Sequence, residues 1–372
     1  MKKQLFLLPI IISLSALSCG TKRAIPNTVI FELDDINFSS RHSDLQNTLL
    51  NQEDPSTYIK NNISDFLQND GEKPKSYVLD IKETNDTGDI ADYFEVEYYQ
   101  SENSKYRVRG NELYNLMNGQ YHYRVHSFHG DKEFISEEKS VSVTSTNPRN
   151  IFVEGVVNAR DLGGWNIGEG KSFKQGLIYR TAQFNKTNYS GSIDSAPTEN
   201  GKRTLLNELN IKTDIDLRLT RGGENGGITK SPISDNTKLV KCPMYYLNRN
   251  IFTNEENKQS IQLFFSTLAD INNYPLAFHC VRGTDRTGAL AYILGALVGM
   301  NEDDLMMDYL FSNLAPIKSP IYEETISGED FYVQGIRNSE GTTLSEKAKN
   351  YLMTTCEIEE TTLDTIIDIL VD

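Results

Sequence analysis

The segment His279-Cys280-Val281-Arg282-Gly283-Thr284-Asp285-Arg286-Thr287-Gly288 constrains this chain more than any other. Upstream, Tyr274 to His279 reads as a short buried strand, and downstream Thr287 to Met300 reads as an apolar helix. A strand, a tight loop and a helix N-terminus in that order describe an α/β layer with its ligand loop at a strand's C-terminal end. Loop amides and the helix dipole converge positive potential on one spot, which binds anions and favours a thiolate. Arg286, six positions after Cys280, carries a planar fork that can hold two oxygens of a phosphoryl group. Gly283 supplies the unusual dihedral that such a cradle needs. Val281, Arg282, Thr284 and Gly288 complete the wrapping backbone, and the Thr287 hydroxyl stands within reach of the cysteine. A lone cysteine between a strand and a helix is ordinarily an inert core residue. The company of Gly283 and Arg286-Thr287-Gly288 makes Cys280 a candidate nucleophile instead. His279 alone reads as a hydrogen-bonded core histidine that shapes the loop.

These residues resemble the loop of the cysteine-dependent protein tyrosine phosphatases, His-Cys-x-x-Gly-x-x-Arg-Thr-Gly. The Asp directly before the Arg narrows the resemblance to the atypical bacterial tyrosine and lipid phosphatases. Asn158-Ala-Arg-Asp-Leu-Gly-Gly164 is similar to that family's Asn-Phe-Arg-Asp-Leu-Gly-Gly opening, and Gly176-Leu-Ile-Tyr-Arg-Thr-Ala182 to its Arg-Ser-Ala strand. Thr213-Asp-Ile-Asp-Leu-Arg218, Asp308-Tyr309 and Tyr351-Leu352 fit as well, so the resemblance runs from about Gly155 to the C-terminus. Many relatives carry Lys before the loop Asp and Ala at the second loop position, where this chain has Thr284 and Arg282. The missing lysine argues against a strong phosphoinositide preference. Arg282 either restores charge at the pocket mouth or turns outward to a surface carboxylate.

Hydrolysis of a phosphomonoester also needs a proton for the leaving group. The interval from Asp235 to Asp270 contains no other Asp and only Glu255 and Glu256 as acids. Asp285, inside the loop, is the better-placed donor, and the resemblance implies the same role; the bland alternative is that it braces the loop. Asp161 and Asp216 are further candidates, although they and Arg160 stand in Arg-Asp or Asp-Leu-Arg contexts that usually mark structural ion pairs. The expected mechanism is attack by Cys280, stabilisation by Arg286 and the loop amides, and proton transfer by Asp285. It calls for no metal and no cofactor, and neither cysteine nor histidine spacing suggests a zinc site.

The chain opens with Met1-Lys-Lys, an apolar run from Leu5 to Leu17, and Ala16-Leu-Ser-Cys19-Gly. The run is short for a membrane span and its flanks suit a signal peptide. The cysteine after small residues resembles a bacterial lipobox, which implies lipidation of Cys19 and a place in the cell envelope; an ordinary signal peptide cut nearby is the other reading. Cys242 and Cys356 are left either to pair, to stay as free thiols, or, for Cys242, to trap Cys280 under oxidation. A net charge of -15 argues against nucleic acid or an anionic membrane surface as a general partner.

At 372 residues, two domains are expected. Residues 1–19 read as the leader and 20–72 as a tether, partly helical or disordered, with mixed apolar spacing over Leu45–Leu67 broken by Pro55. Residues 73–147 read as a small all-β sandwich with strands at Tyr77–Ile81, Phe94–Tyr98, Tyr106–Arg109, Tyr121–Val125 and Ser140–Val143. Leu113 to Val125 resembles the tyrosine-corner region of fibronectin type III or immunoglobulin-like domains. That unit serves as a spacer, or as a recognition surface using Tyr98, Tyr99 and Tyr106. Residues 150–372 read as an α/β domain with a mostly parallel central sheet flanked by helices. Strands are expected near Leu177–Tyr179, Thr213–Leu217 and Leu239–Met244, and helices near Lys202–Leu209 and Ile261–Ala269. Three polar stretches, 186–201, 221–236 and 248–260, could each form a lid. The substrate expected is a phosphotyrosine protein or a small phosphorylated molecule, with dual specificity open. The alternatives are a phosphoinositide or inositol-phosphate phosphatase, and a surface binding lipoprotein with a degenerate phosphatase domain.

Overall fold

The computed structural model of the chain describes residues 29–33, 44–67, 73–144, 149–187, 192–221, 223–224, 226–246 and 251–372. The leader 1–19 with Cys19, and residues 20–28, 34–43 and 68–72 of the expected tether, lie outside the described residues.

A six-stranded sheet organises the C-terminal part, in the order Arg149–Asn150, Arg160–Asp161, Ile178–Thr181, Leu276–His279, Thr213–Asp216, Lys238–Lys241. The first two junctions are antiparallel and the remaining three parallel, giving the mostly parallel sheet the sequence implies. The cysteine strand Leu276–His279 is buried along its whole length with a parallel partner on each side. A strand so placed needs an unbroken apolar run, and Leu276-Ala277-Phe278 provides one. His279 pairs in register with Thr181 on one side and with Asp216 on the other. The three strands therefore end level, and Ala182, Cys280 and Leu217 leave the sheet along one edge, where α/β sheets bind their ligands.

The helix that follows the loop, Asp285–Val298, is buried from Arg286 to its end. Its Ala, Leu, Ile and Gly residues offer no polar face because helices Glu302–Leu310, Leu344–Thr355 and Glu360–Leu370 cover the sides that the sheet leaves open. Each Leu or Ile so buried contributes roughly 1.5–3 kcal/mol. The helix stops at Gly299, whose φ of 102° closes it with a left-handed residue. Packing on every side thus fixes where the helix N-terminus points.

Residues 44–67 form three short helices, Asp44–Leu50, Pro55–Asn61 and Ile63–Leu67, whose Leu49, Ile59 and Phe66 join the catalytic core. Pro55 begins the second helix, where its missing N–H costs nothing, and Asp54 caps it by accepting the Thr57 N–H at 2.8 Å. This stretch of the expected tether is therefore docked.

The N-terminal part is an antiparallel β region. Its main sheet contains Tyr93–Tyr99, Tyr106–Arg109, Gly119–His129, Lys132–Ile135 and Lys139–Val143. The strand expected over Tyr77–Ile81 divides in two. Tyr77–Val78 pairs with Glu112–Leu113, a ladder that the Leu79 N–H extends to the Asn111 carbonyl, whereas Ile81–Asn85 pairs with Val29–Leu33. Tyr98 and Tyr106, offered by the sequence as a recognition surface, face the catalytic part: the Tyr98 hydroxyl donates to Glu208, and that of Tyr106 lies 3.5 Å from Thr204. Glu208 ends a turn of π-helix, Thr204–Glu208, in which the Leu209 N–H reaches back five residues to Thr204. Asn115 completes the seam. Its Nδ2 donates to Glu208 and to the Phe152 carbonyl, both at 2.9 Å, its Oδ1 accepts the Phe152 N–H at 2.8 Å, and its carbonyl accepts from Arg149 at 2.8 Å. Asn115→Ala keeps the carbonyl used by Arg149 but removes the three side-chain bonds, which leaves the Phe152 N–H and carbonyl without this partner, so it is expected to lower unfolding stability by about 2–3 kcal/mol, read from urea midpoints. An unchanged midpoint would contradict the seam.

Candidate active site

Cys280 sits at the start of the loop, 2% exposed. Gly283 has a φ of 73°, and a Cβ there would lie 2.5 Å from the Thr181 carbonyl oxygen, so no larger residue closes this turn. Two buried side chains pull the loop carbonyls away from the thiol. Arg180 donates to the Gly283 carbonyl at 2.7 Å, and Asn158 Nδ2 donates to the Arg282 carbonyl at 2.9 Å. Both are anchored in turn. Arg180 pairs with Asp308, and Arg160 bonds both Asn158 and Asp308, reaching the latter at 3.1 Å. Burial opposes the Asp308 charge, but Arg180 and Arg160 outweigh it and hold the carboxyl below its usual range. Burial and the neighbouring Arg180 push Arg160 down to about 10.

With the carbonyls tied back, donors remain. Among the described residues, no backbone carbonyl accepts the N–H groups of Asp285, Arg286 or Thr287, as expected for a first helical turn. The hydroxyls of Thr284 and Thr287 and Nε of Arg286 are buried and have no hydrogen-bond partner. Buried polar atoms without partners are uncommon, and three within four residues of one loop suit the oxygens of an anion.

Arg286 is held from its far side by Glu224, a residue the sequence reading passed over within the 221–236 stretch. Nη1 donates to Glu224 Oε2 at 2.7 Å and Nη2 to Oε1 at 3.2 Å. Nη1 also reaches the Leu217 and Met244 carbonyls, each at 3.2 Å, and the Tyr246 ring centroid lies 4.7 Å from the guanidinium carbon. Glu224 is itself fixed by the Leu219 N–H at 2.9 Å. These contacts occupy one edge of the fork and leave the Nε edge unpartnered, the edge that can take a phosphoryl oxygen pair. Burial works against the Arg286 charge, and Cys280, Glu224 and Asp285 more than offset it. Glu224 is the one carboxylate between Asp216 and Asp235, set among glycines just past a strand's C-terminal end. That isolation was the available signal.

Asp285 opens the loop helix with its side chain exposed to solvent, while the protein packed around it is dense enough to bear on its charge. Desolvation raises its pKa above the ordinary carboxyl value against the pull of Arg286 and Arg282. The other acids considered are structural. Asp161 pairs with Arg149 and accepts the N–H groups of Gly163 and Gly176 at 2.8 and 2.7 Å. Asp216 accepts from Arg218 Nε and Nη2 at 2.8 and 2.7 Å; burial raises its pKa, but His279 and Arg218 together bring it below the usual value. His279 is fully buried, with Nδ1 3.1 Å from the Cys280 carbonyl, Nε2 3.1 Å from Asp214, and Phe184 packed edge-on against its ring. It shapes the base of the loop.

Cys242, Cys280 and Cys356 are free thiols. Burial pushes Cys242 and Cys356 up to about 12. Cys242 leaves the sheet two strands away from Cys280, across Thr213–Asp216, a separation of about 9–10 Å between strand axes. A disulfide needs Cα atoms within about 7 Å, so Cys242 does not trap Cys280 in this fold.

Residues 151–371 match the model of the tyrosine phosphatase family. The chain belongs to the tyrosine phosphatase family. It is a cysteine-based phosphatase by that membership. No curated protein matches the sequence. Among solved structures, it is similar to the core catalytic domain of the PP-IP phosphatase Siw14 from S. cerevisiae in complex with citrate, at 19% identity and a TM-score of 0.28, over 44% of this chain and 88% of that one. A second structure of the Siw14 catalytic core is similar at 17% identity and a TM-score of 0.27, over 46% and 80% of the two chains.

For this phosphatase, the brace on Arg286 predicts that Glu224→Gln lowers kcat/KM by on the order of 10²-fold through a misaligned guanidinium, with the far-UV circular dichroism retained. A kcat/KM equal to that of the native chain would show that Glu224 does not position Arg286.

Proposed function

We propose that this phosphatase hydrolyses phosphomonoesters through a phosphocysteine intermediate, with phosphotyrosine as the preferred side chain and dual specificity within reach. The observation that carries this reading is the collection of donors in the loop that Cys280 opens: the Arg286 and Thr287 N–H groups, which no backbone carbonyl accepts, and the unpartnered Thr284 and Thr287 hydroxyls and Nε of Arg286. In the first step Cys280 Sγ attacks phosphorus while the phosphorus–oxygen bond to the leaving group breaks. Arg286 and the loop amides hold the equatorial oxygens, where preorganised donors act most strongly. Asp285, protonated, gives its proton to the departing oxygen; its raised pKa supports that role. In the second step Asp285 takes a proton from water, which attacks phosphorus, breaks the phosphorus–sulfur bond and frees phosphate. The Tyr246 ring beside Arg286 is a flat wall suited to a phenyl ring, which supports phosphotyrosine over phosphoserine.

The remaining organisation is also our reading: a leader at 1–19, a connecting segment at 20–72, a β unit at 73–147 and the catalytic region at 150–372. The likeness of the β unit to fibronectin or immunoglobulin domains is supported by Tyr121, whose hydroxyl accepts the Met117 N–H four residues upstream at 2.9 Å. Lipidation of Cys19, and with it attachment to the cell envelope, rests on the leader pattern Ala16-Leu-Ser-Cys19.

On p-nitrophenyl phosphate, Cys280→Ser is expected to lose turnover with the fold intact, and EDTA to leave the native chain active; the opposite of either result would sink the mechanism. On phenyl phosphate, the rate should fall as pH rises through the raised Asp285 pKa, because the donor must be protonated. Asp285→Asn should lose about 10²- to 10⁴-fold and that alkaline limb with it. An unaltered limb would remove Asp285 from the reaction. Rates on phosphotyrosine peptides, phosphoserine peptides and phosphoinositides rank the substrate classes. Labelled palmitate should appear on Cys19 in cells, and an unlabelled chain would end the anchor proposal.

A further inference from the structure

Beside the phosphate loop lies a half-open pocket of about 580 Å³, bounded chiefly by the 150–160 loop, the 194–198 stretch and Phe311 to Ala315. No residue of the 280–288 loop lines it. Its volume falls within the ~300–1,000 Å³ of small-molecule sites. The walls are apolar, formed chiefly by Val153, Val156, Val157, Phe311 and Leu314. The charges at its edge are unequal. Asp194, the one carboxylate in the lining, is already paired with Lys186 at 2.6 Å. Lys73 stands 4.8 Å from the Phe152 ring centroid and makes no salt bridge within 4 Å among the described residues, with Glu154 as its electrostatic neighbour. An apolar body with a single negative head matches that lining, since Lys186 is taken by Asp194 and Arg160 by Asp308 and Asn158, which leaves the Lys73 ammonium as the cation without a salt bridge at the edge.

The floor of the cavity connects it to the chemistry. Asn158 lines it in a left-handed conformation with φ 55°, unusual for a residue with a side chain. The same side chain holds the Arg282 carbonyl at 2.9 Å and accepts from Arg160, which also lines the cavity and reaches Asp308. An occupant therefore touches the groups that aim the phosphate loop, without entering it.

We propose that this cavity is a second ligand site, taking an aliphatic carboxylate of medium chain length, and that its occupancy changes turnover at Cys280 through Asn158. The binding part stands apart from the proposed function, and the effect on turnover rests on it. The test uses the full chain and decanoate below its micelle concentration, titrated calorimetrically. We expect saturable binding at one site, 1-decanol weaker by about tenfold, and Lys73→Gln lowering decanoate affinity by about tenfold to the level of the alcohol. Leu314→Trp should fill the cavity and abolish binding of both. Decanoate should alter kcat for p-nitrophenyl phosphate with little change in KM, and Lys73→Gln, with native basal activity, should lose that response. Absence of saturable binding, equal affinity for acid and alcohol, or displacement of decanoate by inorganic phosphate would each overturn the site. The first two are read without catalysis, so they separate failure of the cavity proposal from failure of the phosphatase mechanism.

Discussion

The structure depends on how the carbonyls of the phosphate loop are held. A loop of this shape has as many acceptors as donors, and an acceptor turned inward would repel both a thiolate and a phosphoryl oxygen. Arg180 and Asn158 remove that hazard by binding the Gly283 and Arg282 carbonyls from behind. Both are long or strained side chains that would wander if left alone. Asp308 fixes Arg180 directly, and it fixes Asn158 through Arg160. The group is fully buried and carries two cations against one anion, so its charge is offset only by further hydrogen bonds. Such an arrangement contributes little to stability and much to a single loop geometry. It also explains why residues from three other segments are needed to form one ten-residue loop.

A second division of labour occurs within Arg286. One guanidinium carries enough donors to be held and to hold. Glu224 and two backbone carbonyls take one edge, and the Nε edge keeps its capacity for an anion. Lysine could not divide its duties this way, because its ammonium has no fixed edges. Asp285, its neighbour, illustrates the opposite balance: the same pocket that keeps Arg286 charged raises the cost of charge on Asp285.

Much of the site was legible from the chain alone. The loop residues 279–288 are contiguous, so their order already encodes strand, turn and helix start. Arg160 and Asp216 were read as members of ion pairs, although Arg160 pairs with Asp308 and not with its neighbour Asp161. Glu224 escaped notice because a carboxylate in a glycine-rich stretch has no periodicity to give it a direction. The sequence allowed helix within 20–72, but the docking of the helices over 44–67 escaped because their apolar residues are spaced for three short elements that bury against a distant core, and no single window shows a face. Tyr98 and Tyr106 suggested an exposed surface, since strand alternation says which residues share a face and not what that face meets.

The amino-acid order by itself pointed to the candidate nucleophile, the arginine fork and the candidate acid beside it and determined the α/β class, because those properties depend on neighbours within one turn of chain. Only the tertiary structure decided which carboxylate braces Arg286, which arginines hold the loop open, that Cys242 stands too far from Cys280 to bond it, and that the β region is sewn to the catalytic part through Asn115. The reason is distance along the chain. Arg180, Glu224 and Asp308 meet the loop across tens of residues, and their pairing is set by sheet order and helix packing, which local pattern does not carry.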